Sequence, residues 1–177
     1  MSKSNTLKFD GLRSYLIGPI ESVSDNEAME WRTKATEELE ILGVKVVDPT
    51  RKNITAKMSE VGEERAYMKM LKETGKWYEH HKRMKKIVHY DLRAVDHSDF
   101  IISYFPEKIQ MVGTIHELVL AASQNKRIFA FTDCPKKYVN SWALWLIGAD
   151  NIYESLDDLF VYLKTQTKEE LMYNWKE

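Results

Sequence analysis

The sequence has little cysteine, no long apolar segment and no excess of either charge. Cys134 is the only cysteine in 177 residues, so no disulfide forms within the chain, and a reducing, cytoplasmic setting is expected. The first ten residues are polar, unlike a signal peptide, and no apolar run approaches the roughly 20 residues that cross a bilayer. The 26 basic residues balance 27 acidic ones, which argues against nucleic-acid polymers as partners.

Motifs of several common enzyme classes are also missing. No Gly-x-Gly-x-x-Gly or Walker loop is present, which argues against dinucleotide and triphosphate enzymes of those kinds. None of the five histidines has zinc-site spacing, and His116-Glu117 lacks the second histidine of a metalloprotease motif. We therefore expect no metal, and we expect residues 1–177 to form one domain that is a small-molecule enzyme or a binding module.

Short apolar segments alternate with amphipathic ones along the chain. Five apolar runs predict strands at residues 13–18, 44–47, 99–105, 127–132 and 151–153. Ser24 begins a capping box with Glu27, and helical apolar spacing follows as far as Gly43. Further helices are predicted at 113–125 and 156–163, so the pattern predicts an α/β fold with a parallel sheet.

Residues 51–98 interrupt this alternation. They are rich in lysine, glutamate, methionine and tyrosine and carry no strong strand signal. We interpret them as a helical insertion after strand two, with helices near 57–72 and 76–97. The basic run at 82–86 is interpreted as a solvated helix face.

Ligands of open α/β sheets bind outside the carboxyl ends of the strands. The residues that follow the predicted strands lie at 18–21, 48–51, 105–113 and 132–135. The candidates for substrate binding are Gly18, Pro19, Ile20, Asp48, Met111, Gly113 and Thr114.

The segment from Gly113 to Glu117 has two interpretations. Glycine admits a close approach of backbone to a ligand, and the free N–H groups of a helix start attract anions. An ionised Glu117 at this place could attack an electrophilic carbon. Alternatively, Thr114 and Glu117 form a capping box, and the spacing alone favours this alternative. The direction of the Glu117 side chain distinguishes the two.

Tyr15 and Asp91 are the other polar candidates. The Tyr15 phenol could orient a carboxylate at the end of a strand, although the local pattern favours a packed tyrosine. Asp91 belongs to an acidic series with Asp96 and Asp99, and one such carboxyl could protonate a leaving group or hold a polar ring. Asp99 is interpreted as a cap or turn residue, an explanation that suits Asp91 less well.

Four of these segments follow one another in a characteristic order. They are Tyr-Leu-Ile-Gly-Pro-Ile at 15–20, the Asp-Leu element at 91–99, Gly-Thr-Ile-His-Glu at 113–117 and Trp-Ala-Leu-Trp at 142–145. Together they resemble the nucleoside 2-deoxyribosyltransferase-like family, in its phage- and archaeal-type branch. The resemblance covers residues 13 to about 163 apart from the insertion. It implies a flavodoxin-like three-layer sandwich and an enzyme that cleaves N-glycosidic bonds without a metal or organic cofactor.

The resemblance also implies roles for the three polar candidates. Glu117 would attack the anomeric carbon and form a covalent glycosyl–enzyme, Tyr15 would hold Glu117 in line, and Asp91 would contact the base and help it leave. A second base or water would discharge the intermediate, as in other retaining reactions with an oxocarbenium-like transition state. The expected activity is therefore deoxyribosyl transfer, or hydrolysis of a nucleoside or its monophosphate.

Met111 departs from the pattern of this family. Six residues before the nucleophile, relatives that act on nucleosides carry Asp and those that hydrolyse monophosphates carry Ser. Met111 can hold neither the sugar hydroxyls, as that Asp does, nor the phosphate, as that Ser does. The 18–21 turn also lacks a phosphate-binding arginine, although Arg51 or Arg93 could supply a charge. These departures motivate an alternative of another class, a non-catalytic nucleotide-binding or sensing module on the same scaffold.

Members of this family often complete their site with a neighbouring subunit, so a homo-oligomer, a dimer or larger, is expected. The tail at 166–177 sets large apolar residues in a charged context. It either packs on a partner chain or folds back as an amphipathic helix on its own domain, and the sequence leaves both interpretations open.

Overall fold

The computed structural model describes residues 7–51, 60–109 and 111–172, which form three layers around one parallel sheet. The strands are β1 (Arg13–Ile17), β2 (Lys45–Val47), β3 (Phe100–Phe105), β4 (Arg127–Thr132) and β5 (Ile152–Tyr153). They lie in the order β2-β1-β3-β4-β5, and every neighbouring pair is parallel. The predicted flavodoxin-like α/β fold with five parallel strands is confirmed.

Helices cover both faces of the sheet. They are α1 (Asp25–Ile41), α2 (Gly62–Glu73), α3 (Trp77–Asp96), α4 (Val112–Ser123), α5 (Ser141–Ile147), α6 (Leu156–Leu163) and α7 (Lys168–Met172). α1, α6 and α7 contribute to the core on one face, and α3, α4 and α5 contribute to the core on the other. α2 packs on α3, outside these two layers.

The pleat of the strands divides the buried side chains between the two faces. Leu16 of β1 and Phe129 of β4 belong to the core beneath α1 and α6, whereas Tyr15 and Ile17 of β1 belong to the core beneath α3 and α4. Successive side chains of a strand point to opposite faces. The position of Tyr15 in β1 therefore decides that its ring faces α3 and α4.

The start of α1 is the one that the sequence predicts. Oγ of Ser24 accepts a hydrogen bond from the Glu27 amide, and the Glu27 carboxylate accepts one from the Ser24 amide. This capping box satisfies donors that the first turn of a helix leaves free. It also ends the loop that follows β1.

The insertion after β2 is helical, but its first helix begins later than predicted. α2 starts at Gly62, five residues beyond the expected position 57, and residues 52–59 lie outside the described part of the chain. The N-cap of α2 is Val61, without a side-chain hydrogen bond. Local sequence therefore could not predict this boundary.

The described part of the tail folds back on its own domain. Leu171 of α7 is fully buried in the core beneath α1 and α6, and Nη1 of Arg127 donates to the Glu170 carbonyl over 3.1 Å. Residues 173–177 lie outside the described residues, and their place at an oligomer interface stays a prediction. Within the described ranges, no helix has both the length and the apolar character needed to cross a membrane.

Candidate active site

A cavity of about 830 Å³ lies at the carboxyl end of β1, between α3 and α4. The connection from β1 to β2 runs through α1 on one face, and the connection from β3 to β4 runs through α4 on the other. The strand order therefore reverses between β1 and β3, and ligands of open α/β sheets bind at such a point. The cavity occupies the edge of the sheet that the sequence indicates.

Tyr15 and Glu117 meet in the wall of this cavity. Tyr15 is 1% exposed, and its hydroxyl donates a hydrogen bond to Oε1 of Glu117 over 2.9 Å. Burial raises the pKa of the Tyr15 phenol well above its ordinary value, and the negative charges of Glu117 and Asp91 raise it further. The phenol is therefore a neutral donor that holds one carboxylate oxygen of Glu117.

The start of α4 excludes one of the two interpretations of Glu117. α4 begins at Val112, and Met111 occupies the N-cap position without a side-chain cap hydrogen bond. Thr114 is buried within the first turn and is not the capping residue. The capping-box interpretation of Thr114 and Glu117 is therefore wrong, and the Glu117 carboxylate meets β1 instead.

Asp91 reaches the same cavity from α3. The cavity-lining residues Met84, Ile87, Val88 and Asp91 recur at spacings of three and four and so share one face of the helix. Asp91 is 8% exposed, and its charge acts on the Tyr15 phenol. The three predicted catalytic side chains thus converge from β1, α3 and α4.

The turn after β1 forms another wall of the cavity, through Gly18, Pro19 and Ile20. A Cβ atom at Gly18 would lie 2.9 Å from Cζ2 of Trp31, so only glycine fits there without a shift of its neighbours. The guanidinium of Arg32 holds the same turn, since Nη2 donates to the Gly18 carbonyl over 2.8 Å and Nε to the Leu16 carbonyl over 3.4 Å.

Arg32 is a supporting residue that the sequence analysis missed. It is fully buried, and its removal from water lowers the pKa of the guanidinium, an effect that the nearby Asp48 opposes. The sequence does indicate this role, because Arg32 lies on the apolar face of α1 between Ala28 and Ala35. A charged side chain on a buried face is rare unless it has partners.

Asp48, predicted as a substrate-binding residue, lies outside the cavity. Its Oδ1 accepts hydrogen bonds from the Thr50 amide over 2.8 Å and the Thr50 hydroxyl over 2.7 Å, and lies 3.9 Å from Nε of Arg32. Its other oxygen is 3.5 Å from Arg51. Asp48 therefore supports the turn through Arg32. Arg51 and Arg93, considered as sources of charge for a phosphate, do not line the cavity either.

The start of α4 lines the cavity through Met111, Gly113 and Thr114, three of the residues predicted to bind substrate. A Cβ atom at Gly113 would meet nothing within 4 Å, so this stretch of backbone faces open space. The first turn of a helix has free N–H groups and carries partial positive charge. We therefore infer that this part of the cavity suits polar atoms of a ligand.

Glu60 is a second residue of the cavity that the sequence analysis missed. It lies in the insertion, two residues before α2, and its negative charge acts on both Tyr15 and Arg32. Nothing in the local sequence distinguishes Glu60 from the other glutamates of the insertion. Only the packing of α2 shows which of them reaches the cavity.

The other reactive side chains contribute little here. Nδ1 of His116 donates to the Val112 carbonyl over 3.0 Å, since a carbonyl can only accept, and the ring lines the cavity. Cys134 is buried beside Thr132, away from the cavity. Among residues 7–51, 60–109 and 111–172, no group of three His, Cys, Asp or Glu side chains could hold a metal ion.

Comparisons with known proteins identify the fold and leave the family open. No protein-family model and no curated protein sequence matches the chain. Its structure is similar to that of a 2-deoxyribosyltransferase from the psychrotolerant bacterium Bacillus psychrosaccharolyticus, with a TM-score of 0.59, 16% identity, and coverage of 92% of this chain and 97% of that one. A CMP N-glycosidase from Clostridium botulinum matches at a TM-score of 0.48 and 16% identity, over 86% of this chain and 98% of that one. At these identities the likeness to the 2-deoxyribosyltransferase establishes the α/β architecture alone.

Proposed function

We propose that the protein cleaves the N-glycosidic bond of a (2′-deoxy)nucleoside or nucleoside monophosphate through a covalent glycosyl–Glu117 intermediate. The sugar then passes to another base or to water. The observation that carries this proposal is the hydrogen bond from Tyr15 to Glu117 in the cavity at the end of β1. This bond orients the carboxylate whose oxygen would attack the anomeric carbon.

Two further findings support the proposal. The segments at 15–20, 91–99, 113–117 and 142–145 resemble the deoxyribosyltransferase-like family in sequence and order. The whole chain also has the architecture of a protein named as a 2-deoxyribosyltransferase. The residues that the resemblance selects as catalytic are the ones that converge in the cavity.

The geometry suits a displacement at the anomeric carbon. A carboxylate oxygen of Glu117 forms the bond to C1′ while the bond from C1′ to the base nitrogen breaks, and the electron pair leaves with the base. The Tyr15 hydroxyl holds Oε1 over 2.9 Å, so little rotational freedom is lost on the way to the transition state.

Asp91 has the position to assist the leaving base. In its protonated form the Asp91 carboxyl gives its proton to the base nitrogen as the bond to C1′ breaks, which neutralises the charge that develops there and leaves Asp91 as a carboxylate. An incoming base or water then attacks C1′ and gives its proton to the Asp91 carboxylate, while the bond from C1′ to Glu117 breaks and Glu117 leaves as a carboxylate. Because both acceptors fit this scheme, the same residues serve transfer and hydrolysis. We favour transfer because of the resemblance to the deoxyribosyltransferase-like family.

The experiment is incubation of the purified protein with deoxynucleosides and their 5′-monophosphates, with and without a free acceptor base. Chromatography follows base release and base exchange. We expect release from at least one substrate, and exchange when the acceptor is present. Stabilisation of the fold by these compounds without any release would instead favour the non-catalytic binding module.

Glu117→Ala tests the nucleophile directly. We expect turnover to fall by at least about a thousandfold, because a reaction without the covalent step must use a different path. Glu37→Ala, an exposed residue of α1, is the matched control and should keep wild-type rates. Unchanged turnover in Glu117→Ala, with an intact circular dichroism spectrum, would remove Glu117 as nucleophile.

A further inference from the structure

The charged side chains of the cavity are of one sign. Among the described residues that line it, Glu21, Glu60, Asp91 and Glu117 are acidic, and no lysine or arginine is present. The imidazole of His116 is the one basic side chain among them, and its Nδ1 is bound to a backbone carbonyl. A dianionic phosphate brought into such a site meets repulsion.

The basic residues of α2 are committed elsewhere. Nη1 of Arg65 forms a hydrogen-bonded ion pair with Asp25 over 2.6 Å, and Nη2 donates to the Glu21 carbonyl over 2.8 Å. Nζ of Lys72 lies 2.8 Å from Oε1 of Glu21. These contacts engage two cations of α2 with the loop after β1 and the start of α1, and they partly compensate the charge of Glu21.

Neighbouring contacts attach the chain just beyond Glu60 to α1. Asp25 also accepts a hydrogen bond from the Gly62 amide over 2.7 Å, so the start of α2 is attached to the start of α1. Glu60 lies two residues before this attachment and is half-buried in the cavity wall. Its charge is felt at Tyr15 on one side and at Arg32 under the Gly18–Pro19 turn on the other.

We propose that Glu60 is a specificity-determining residue that excludes phosphorylated substrates, so that the site accepts nucleosides with a free 5′-hydroxyl. This inference rests on the proposed function and narrows it. It assigns a role to the part of the insertion that precedes α2, in addition to the role proposed for Asp91 in α3.

Glu60→Gln keeps the shape of the side chain and removes its charge. The quantity to measure is the ratio of kcat/KM for a deoxynucleoside to kcat/KM for its 5′-monophosphate. We expect a ratio above one in the wild type and a ratio about tenfold lower in Glu60→Gln, which corresponds to about 1.4 kcal/mol. Glu63→Gln, in the first turn of α2 and outside the cavity, removes the same charge and should leave the ratio unchanged.

Equal turnover of both substrates by the wild type, or an unchanged ratio in Glu60→Gln, would overturn the role of Glu60 while the proposed function stands. Absence of turnover with every substrate would instead contradict the proposed function. In that case thermal shift still decides on Glu60: a monophosphate should raise the Tm of Glu60→Gln and not that of the wild type. Equal shifts in the two proteins would count against the proposal.

Discussion

The Tyr15–Glu117 hydrogen bond connects two residues that lie 102 positions apart in the sequence. A carboxylate accepts hydrogen bonds readily, and bonds to charged groups contribute more than neutral ones. The bond therefore favours one orientation of the carboxylate in the cavity. Its loss should affect the rate of the reaction more than the binding of the substrate.

Tyr15→Phe removes this bond and keeps the ring. We expect kcat to fall roughly 10- to 100-fold with a small change in KM, since a hydrogen bond to a charged group contributes about 1.5–3 kcal/mol. Steady-state kinetics on the best substrate gives both constants. Tyr104→Phe removes a hydroxyl that binds Asp133 outside the cavity and should keep wild-type kinetics. Equal losses in the two variants would point to a general effect on folding.

Sequence patterns predicted the site residues unevenly. Tyr15, Asp91 and Glu117 were identified through the resemblance, whereas their local patterns favoured or allowed a structural role. Asp48 was selected because it follows a strand. That rule indicates the edge of the sheet and not the face to which a side chain turns, and Asp48 turns towards Arg32 of α1.

At the scale of the element, the turn between β1 and α1 depends on a close approach. Gly18 lies against the ring of Trp31 and the guanidinium of Arg32, both from α1. The helix therefore supports the cavity wall from behind, while the turn presents Pro19 and Ile20 to the cavity. The side chains of Trp31 and Arg32, which do not line the cavity, therefore set the distance between α1 and the turn.

Gly18→Ala tests this spacing. The new Cβ would lie 2.9 Å from Trp31 and 3.3 Å from Nη2 of Arg32, so the turn must shift, and we expect a loss of about 1–3 kcal/mol in the free energy of unfolding. Gly113→Ala is the control for stability, because its Cβ meets nothing within 4 Å and alanine favours a helix. Urea unfolding measures both, and equal stability of the two variants would contradict the role of the close approach.

The boundaries of helices and strands could be predicted where polar or capping residues flank an apolar run. β4 and α6 lie at the predicted positions 127–132 and 156–163, because each apolar run is bounded by polar or capping residues such as Ser155. α2 was misplaced, since its start uses no side-chain cap. Its position depends on Asp25, which lies 37 residues before Gly62 in the chain.

At the scale of the whole molecule, the buried phenol of Tyr15 connects the site to stability at alkaline pH. Its pKa in the folded state is raised by burial and by Glu117, whereas an unfolded tyrosine titrates near about 10. Below that pH the group is protonated in both states. Above it the unfolded chain releases the proton first, so the stability that this group contributes is lost as the pH rises towards the folded pKa.

We therefore expect the Tm of the wild type to fall more steeply than that of Tyr15→Phe above a pH of about 10. Differential scanning calorimetry from neutral to alkaline pH measures both slopes. Tyr78→Phe, which changes a tyrosine that is 76% exposed, should follow the wild type. Parallel curves for the wild type and Tyr15→Phe would show that the buried phenol does not control alkaline unfolding.

The division of the interior into two cores affects which substitutions the protein can tolerate during evolution. Tyr15 belongs to the core beneath α3 and α4, the helices that carry Asp91 and Glu117, while α6 and α7 contribute to the core on the opposite face. Substitutions beneath α6 and α7 alter the free energy of unfolding without contact to the cavity. A lineage could therefore gain stability on one face and use it to tolerate destabilising changes of specificity on the other.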